Sequence, residues 1–144
     1  MGDSRAVGSL NGGSEKLSLT IDHKPTERTE QERIQKNGGR IYQTQSQVQS
    51  QTDPSKFETI VGPHRVAPGR LSVSRTFGDL EAKHPNFGGM AGVVICTPEV
   101  SQFDEQEMEQ LDFLVLGCDG IFDKLTTQET VDVAWKAAQE SASL

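Results

Sequence analysis

Two carboxylates stand four positions apart in Asp119-Gly120-Ile121-Phe122-Asp123, directly after the apolar run Phe113 to Leu116. An apolar run closed by a turn signal reads as a buried strand, and its polar end falls at the rim of a sheet. Two aspartates held by a glycine-containing turn can share a hard divalent cation such as Mg²⁺ or Mn²⁺. They can equally cap backbone groups of the turn and do nothing more. Asp3 is a third aspartate at a turn beside a strand. A cation held by a few such carboxylates keeps waters in its shell, can acidify one of them, and can neutralise phosphoryl charge.

Other candidates are weaker. His23, His64 and His84 share no metal-ligand spacing and read as solvated or capping side chains. Ser72 and Ser74 have no nucleophile elbow around them, which argues against a serine hydrolase. Gly69, Gly78 and the Gly88-Gly89 pair form no phosphate-binding loop. Arg65, Arg70 and Arg75 are able to meet a phosphate, although arginines near Asp79 more often make structural ion pairs. A haloacid-dehalogenase signature needs a nucleophilic aspartate two positions before the second one. That place is Gly117, so an aspartyl-phosphate route is excluded.

The elements that must position these groups follow from pattern and punctuation. A short strand after Gly2, the turn Asn11-Gly12-Gly13 and the arm Leu17 to Thr20 read as a hairpin. A charged helix from Glu27 to Lys36 follows, with Thr26 as its cap and Asn37-Gly38-Gly39 as its stop. Residues 43–63 show no periodicity and read as a disordered insertion loop. Leu71 to Ser74 and Val93 to Cys96 read as strands, with an irregular stretch between them and Glu99 to Phe103 as a candidate continuation of the second. Thr126-Thr127-Gln128-Glu129 is a capping box, and Val131, Ala134, Trp135 and Ala138 follow at helical spacing. The order is α+β, without strict βαβ alternation.

The chain has 144 residues, enough for one ordinary domain, and a net charge of -7. Such acidity argues against nucleic-acid binding through a basic face. Cys96 and Cys118 lie in or beside apolar runs and read as buried, unpaired thiols of a reducing compartment. No run reaches membrane-spanning length and no signal peptide opens the chain. The expectation is a soluble monomer of the cytoplasm or nucleus.

Five segments together resemble the PPM/PP2C family of metal-dependent protein serine/threonine phosphatases. Gly2-Asp3-Ser4-Arg5-Ala6-Val7 is similar to its GDSRAV segment. Leu19-Thr20-Ile21-Asp22-His23-Lys24-Pro25, with Glu32-Arg33-Ile34 and Gly38-Gly39, is similar to LTxDHKP…ExxRI…GG. Gly69 to Asp79 resembles GxLAVSRAFGD, Thr97-Pro98-Glu99-Val100 the P-x-V step, and Asp119 to Asp123 the DGxWD segment. The resemblance implies an αββα sandwich of two antiparallel sheets flanked by helices. It implies hydrolysis of phosphoserine and phosphothreonine proteins by a metal-activated water, with Mg²⁺ or Mn²⁺ as cofactor. It assigns Asp119 to a dinuclear metal centre, and Asp3, Asp119 and Asp123 to a third metal site. Leu80 to Gly92 is similar to the flap beside the active site, and Arg75 and Asp79 to structural residues. The family's DGHGG segment and its later Asp-Asn strand lie outside these residues. Residues 1–144 thus resemble part of a catalytic domain, incomplete at both ends and expected to be inactive and marginally stable alone. The rival reading is a non-catalytic module that binds phosphoproteins or regulators.

Overall fold

A computed structural model describes Met1 to Ser141. The chain forms two compact units: Met1–Gly2 with His23–Pro98, and Asp3–Asp22 with Glu99 onward. Each contains an antiparallel sheet with helices, the expected α+β class. No helix among the described residues is long and apolar enough to cross a membrane.

The unit made of Asp3–Asp22 and the C-terminal segment is built on three strands. They are β1 (Arg5–Leu10), β2 (Glu15–Ser18) and, numbered in chain order, β5 (Leu111–Gly117). The sheet order is β2-β1-β5, all antiparallel, with Arg5 opposite Gly117 and Ser9 opposite Phe113. The Asn11-Gly12-Gly13 turn closes the hairpin as expected, in a 3-10 turn. Two short helices were not anticipated, α3 (Glu105–Glu109) and α4 (Asp119–Phe122). The last helix, α5 (Thr127–Ser141), starts at the expected capping box. Glu129 N–H donates to Thr126 Oγ1 at 3.2 Å, and Thr126 N–H donates to Glu129 Oε2 at 2.7 Å.

Helix α5 fixes itself on the sheet through Trp135. The indole lies edge-on to Phe113, with ring centroids 5.3 Å apart, and its Nε1–H donates to Ser9 Oγ at 2.7 Å. Ser9 in turn donates to Asp112 Oδ2 at 3.0 Å, so the buried polar groups are satisfied. Gly13, at φ 88°, leaves the space the indole takes, since a Cβ there would stand 2.7 Å from Nε1. Val7 and Val131 are fully buried, whereas Ala138, expected on the packed face, is exposed. Strand β5 is an edge of this sheet, with Leu114 and Leu116 exposed.

In the other unit, α1 (Arg28–Lys36), β3 (Arg40–Gln49), β4 (Phe57–Ala67) and α2 (Leu80–Lys83) surround a core of Ile34, Val66, Ala82, Val93 and Val94. Thr26 does not cap α1; Glu27 occupies the N-cap position without a side-chain bond. Residues 43–63 are not a disordered loop. They pair as a ribbon from Gln43 opposite His64 to Gln49 opposite Phe57. Buried Ser50 closes its end, with its N–H donating to the Lys56 carbonyl at 2.9 Å. Both faces of this ribbon are largely exposed, so both carry polar residues and no alternation marks the strands.

The expected strands at 71–74 and 93–96 are reduced to single bridges, Val66 with Leu71 and Arg75 with Ile95, and residues 99–103 are not a strand. Side chains take part of the place of a ladder here. Arg33 donates to the carbonyls of Ser74 at 3.0 Å, Gly92 at 3.2 Å and Val93 at 3.2 Å. Cys96 and Cys118 are free as expected but exposed, not buried, because neither lies in a regular packed strand.

Candidate functional site

The two expected aspartate turns meet at one end of the β1–β5 ladder. Antiparallel pairing places the start of β1 beside the end of β5, and Arg5 opposite Gly117 is the last pair. Asp3 lies two residues before that pair and Asp119 two residues after it. The unbroken register from Arg5 to Ser9 thus places two aspartate-bearing segments, more than a hundred positions apart in the chain, at the same end of the ladder.

The segment after β5 is not a simple turn. Cys118 has extended backbone and N-caps α4, Asp119 occupies the first helical position, and Asp123 is the C-cap. Asp123 N–H donates to the Asp119 carbonyl at 2.8 Å, so one helical turn separates the two side chains. Gly117 allows this turn to fold back on the strand. A Cβ there would stand 2.9 Å from Phe122 Cε2 and 3.1 Å from Ile121 Cδ1. The glycine that excludes a phosphoenzyme route therefore has a packing reason of its own.

Arg5 holds this end together, a role the sequence reading did not assign. Its Nε donates to Asp22 Oδ1 at 3.0 Å and its Nη2 to Asp22 Oδ2 at 2.8 Å, a two-point ion pair. Nη1 donates to Thr127 Oγ1 at 3.3 Å, at the start of α5. The guanidinium also lies over the Phe122 ring, 4.6 Å from its centroid. One side chain thus joins β1, the segment after β2, α4 and α5. The hydrogen bond to Asp22 holds the guanidinium pKa above its ordinary value against the opposing effect of burial; the charges of Asp22 and Asp3 add to it. A pocket of about 420 Å³ opens beside it, lined by Arg5 and residues 122–127, Asp123 included.

Asp119 and Asp123 are exposed and Asp3 is half-buried. Carboxylate oxygens suit a hard divalent cation, but the described residues do not complete a site. Among them, no three His, Cys, Asp or Glu side chains stand together closely enough to hold a metal ion. The donor type therefore fits a metal while the donor count falls short, and no chemical step can be built from these residues through one.

The remaining candidates settle into structural places in the other unit. Arg75 forms an ion pair, as expected of a structural arginine, but with Glu30 and not Asp79: Nη2 stands 2.6 Å from Oε1. Glu30 is buried, takes Arg33 Nη1 at 2.6 Å, and accepts a short hydrogen bond from Ser74 Oγ. Burial raises its pKa, yet the bonds from Arg75, Arg33 and Ser74 outweigh burial and bring it down to about 2. Ser74 also donates to the His23 carbonyl at 2.9 Å, which makes it a structural hydroxyl. His23 is buried, not solvated; His64 is exposed, and His84 Nδ1 caps a 3-10 turn by accepting from Asn86 N–H. Residues 80–92 fold as α2, the Pro85–Phe87 turn and a glycine-rich return.

Comparison with known proteins bears on the family and the fold. The family model described as Protein phosphatase 2C matches residues 1–144. The chain is 35% identical to Probable protein phosphatase 2C 72 of Arabidopsis thaliana over 99% of its own length and 39% of the relative's. It is 33% identical to Protein phosphatase 2C homolog 2 of Saccharomyces cerevisiae, covering 99% of this chain and 26% of that one. A solved phosphatase from Toxoplasma gondii superposes with a TM-score of 0.67 at 29% identity, over 99% of this chain and 37% of that chain. The chain therefore spans well under half the length of the curated relatives it matches.

Proposed function

The chain belongs to the protein phosphatase 2C family, and from that membership we propose that it serves the hydrolysis of phosphoserine and phosphothreonine in protein substrates. The observation that supports this most is the β1–β5 register, which gathers Asp3 and Asp119 at one end of the sheet with Asp123 one helical turn on. Such a pair of strand-end turns suits a hard cation better than it suits a general acid and base. The group proposed is Mg²⁺ or Mn²⁺, with Asp119 as its principal ligand here, Asp3 and Asp123 beside it, and further donors from outside the described residues. When bound, such a cation supplies charge neutralisation at phosphoryl oxygens and makes water more acidic.

What these residues do themselves is positional. Arg5 ties the start of β1 to α4, α5 and Asp22. Gly117 lets α4 lie against β5. Residues 80–92 are proposed as a flap-like segment. Two exposed free thiols suit a reducing compartment, the cytoplasm or nucleus.

The test is phosphate release from phosphothreonine, phosphoserine and phosphotyrosine peptides. The protein assayed is residues 1–144 joined to the complementary segments of the yeast relative, checked for folding by circular dichroism. Release from the first two peptides is expected; a folded protein that cleaves only phosphotyrosine, or nothing, would refute the proposal.

A further inference from the structure

A second pocket, of about 670 Å³, lies in the unit formed by His23–Pro98, and two arginines line it against a single carboxylate. Arg40, at the start of β3, and Arg70, in the turn after β4, both line it, together with Tyr42 and Glu81. Neither guanidinium has a hydrogen-bond or ion-pair partner among the described residues. In a chain of net charge -7, two unpaired arginines in one concavity are unexpected on charge alone.

The turn that presents Arg70 is fixed before any ligand arrives. Val66 N–H donates to the Leu71 carbonyl at 2.8 Å and closes the turn. Arg65 Nη1 donates to the Arg70 carbonyl at 2.7 Å and holds that residue from outside the pocket. Gly69 lets α2 come close, since a Cβ there would stand 2.4 Å from the Ala82 Cβ. Residue 70 has φ 57°, in the left-handed region that glycine or asparagine would occupy at less cost, yet it is arginine. Strained backbone of this kind persists where the side chain has a use. On the opposite side, Arg40 is set by its pairing with Ala67.

We propose that this pocket is an anion subsite that takes a carboxylate or phosphoryl group of the substrate protein, distinct from the phosphoryl group to be cleaved. The inference rests on the phosphatase reading for its partner and on geometry for its chemistry. Planar guanidinium groups bind two-oxygen anions at two points, and the Tyr42 phenol supplies a further donor. Glu81, which also lines the pocket, opposes a bound anion and favours release.

Binding is read by fluorescence anisotropy, without turnover, on labelled peptides that differ only at one position: glutamate, glutamine, or a non-hydrolysable phosphoserine phosphonate. The glutamate and phosphonate peptides should bind more tightly than the glutamine peptide, and the stronger of the two identifies the natural group. Arg40→Gln should weaken binding by about 10-fold, the size expected for one charge-assisted contact. Arg70→Gly should do the same while relieving the left-handed backbone, so misfolding cannot explain a loss. Glu81→Gln should tighten binding by about 3-fold, consistent with removal of a partly screened like charge. Equal binding of all three peptides, or no effect of the arginine variants, would overturn the proposal. So would competition by inorganic phosphate as strong as that of the peptides, which would mean a free-ion site. A phosphatase with no such preference loses only the subsite. A chain that binds in this way and never supports hydrolysis loses only the phosphatase reading.

Discussion

The Arg5 guanidinium and the Asp22 carboxylate meet at two points, 3.0 Å and 2.8 Å apart, with both side chains largely buried. Asp22 thereby neutralises the cation that also lies on Phe122 and reaches Thr127. The pair links the chain just after β2 to the helices that follow β5, so it governs how Asp119 is held.

Replacement of Arg5 by lysine keeps the charge but loses the planar two-point contact and the stacking on Phe122. Arg5→Lys should lower stability by about 1–2 kcal/mol, and Arg5→Ala by about 3 kcal/mol because Asp22 is left unpaired. Chemical denaturation of the two variants measures both.

Gly117→Ala places a methyl group against the Phe122 ring and should cost about 1–3 kcal/mol, as overpacking does. Nuclear magnetic resonance shifts should change at Asp119 to Asp123 and stay constant at Lys16 and Leu17. Shifts that remain constant in α4 would mean that the helix does not rest on the strand.

Glu30 makes its unit sensitive to acid. Its carboxyl is brought from an ordinary 4.5 down to about 2 by the bonds from Arg75, Arg33 and Ser74, so its contribution is complete above about 4.5 and is lost as pH falls toward 2. Glu30→Gln should destabilise by about 3 kcal/mol at neutral pH, since Arg33 and Arg75 lose their common anion. The variant should also show a flatter decline of melting temperature between pH 4.5 and 2.5 than the parent.

The 43–63 ribbon should show slowed amide exchange at Val48 and Glu58, which face each other in it and, by the alternation of an antiparallel ladder from the Ser50 bond to Lys56, bond to each other. Exchange at random-coil rates would restore the disordered loop. The difference between expectation and structure here has a simple origin. Sequence pattern reports burial, and a ribbon exposed on both faces has none to report. The same reasoning explains what was legible. Helix α5 displays its capping box and its buried Val131, and β5 its apolar run, so both were readable.

The site divides along the same line. Asp119 and Asp123 were visible as a motif, and the end of β5 that holds them was expected. Their approach to Asp3 depends on register between strands more than a hundred residues apart, which local pattern does not encode. Arg5 was missed because an arginine beside an aspartate turn has no distinctive spacing; its partners are Asp22, Phe122 and Thr127, each supplied by a different element. The single bridges at Leu71 and Arg75 were read as strands because their alternation is real, yet arginine side chains supply part of the bonding a ladder would.

The most direct measurement is phosphate release from a phosphothreonine peptide by the completed domain in Mn²⁺, beside its Asp119→Asn and Asp3→Asn variants. Electron paramagnetic resonance of the bound ion should be recorded in the same samples. The expected result is turnover that falls by about 100-fold or more in Asp119→Asn, the loss of a few kcal/mol of metal-based stabilisation, and less in Asp3→Asn. The Mn²⁺ signal should weaken in both variants. Full turnover and an unchanged Mn²⁺ signal in folded Asp119→Asn protein would show that this end of the β1–β5 ladder is not the metal-binding edge.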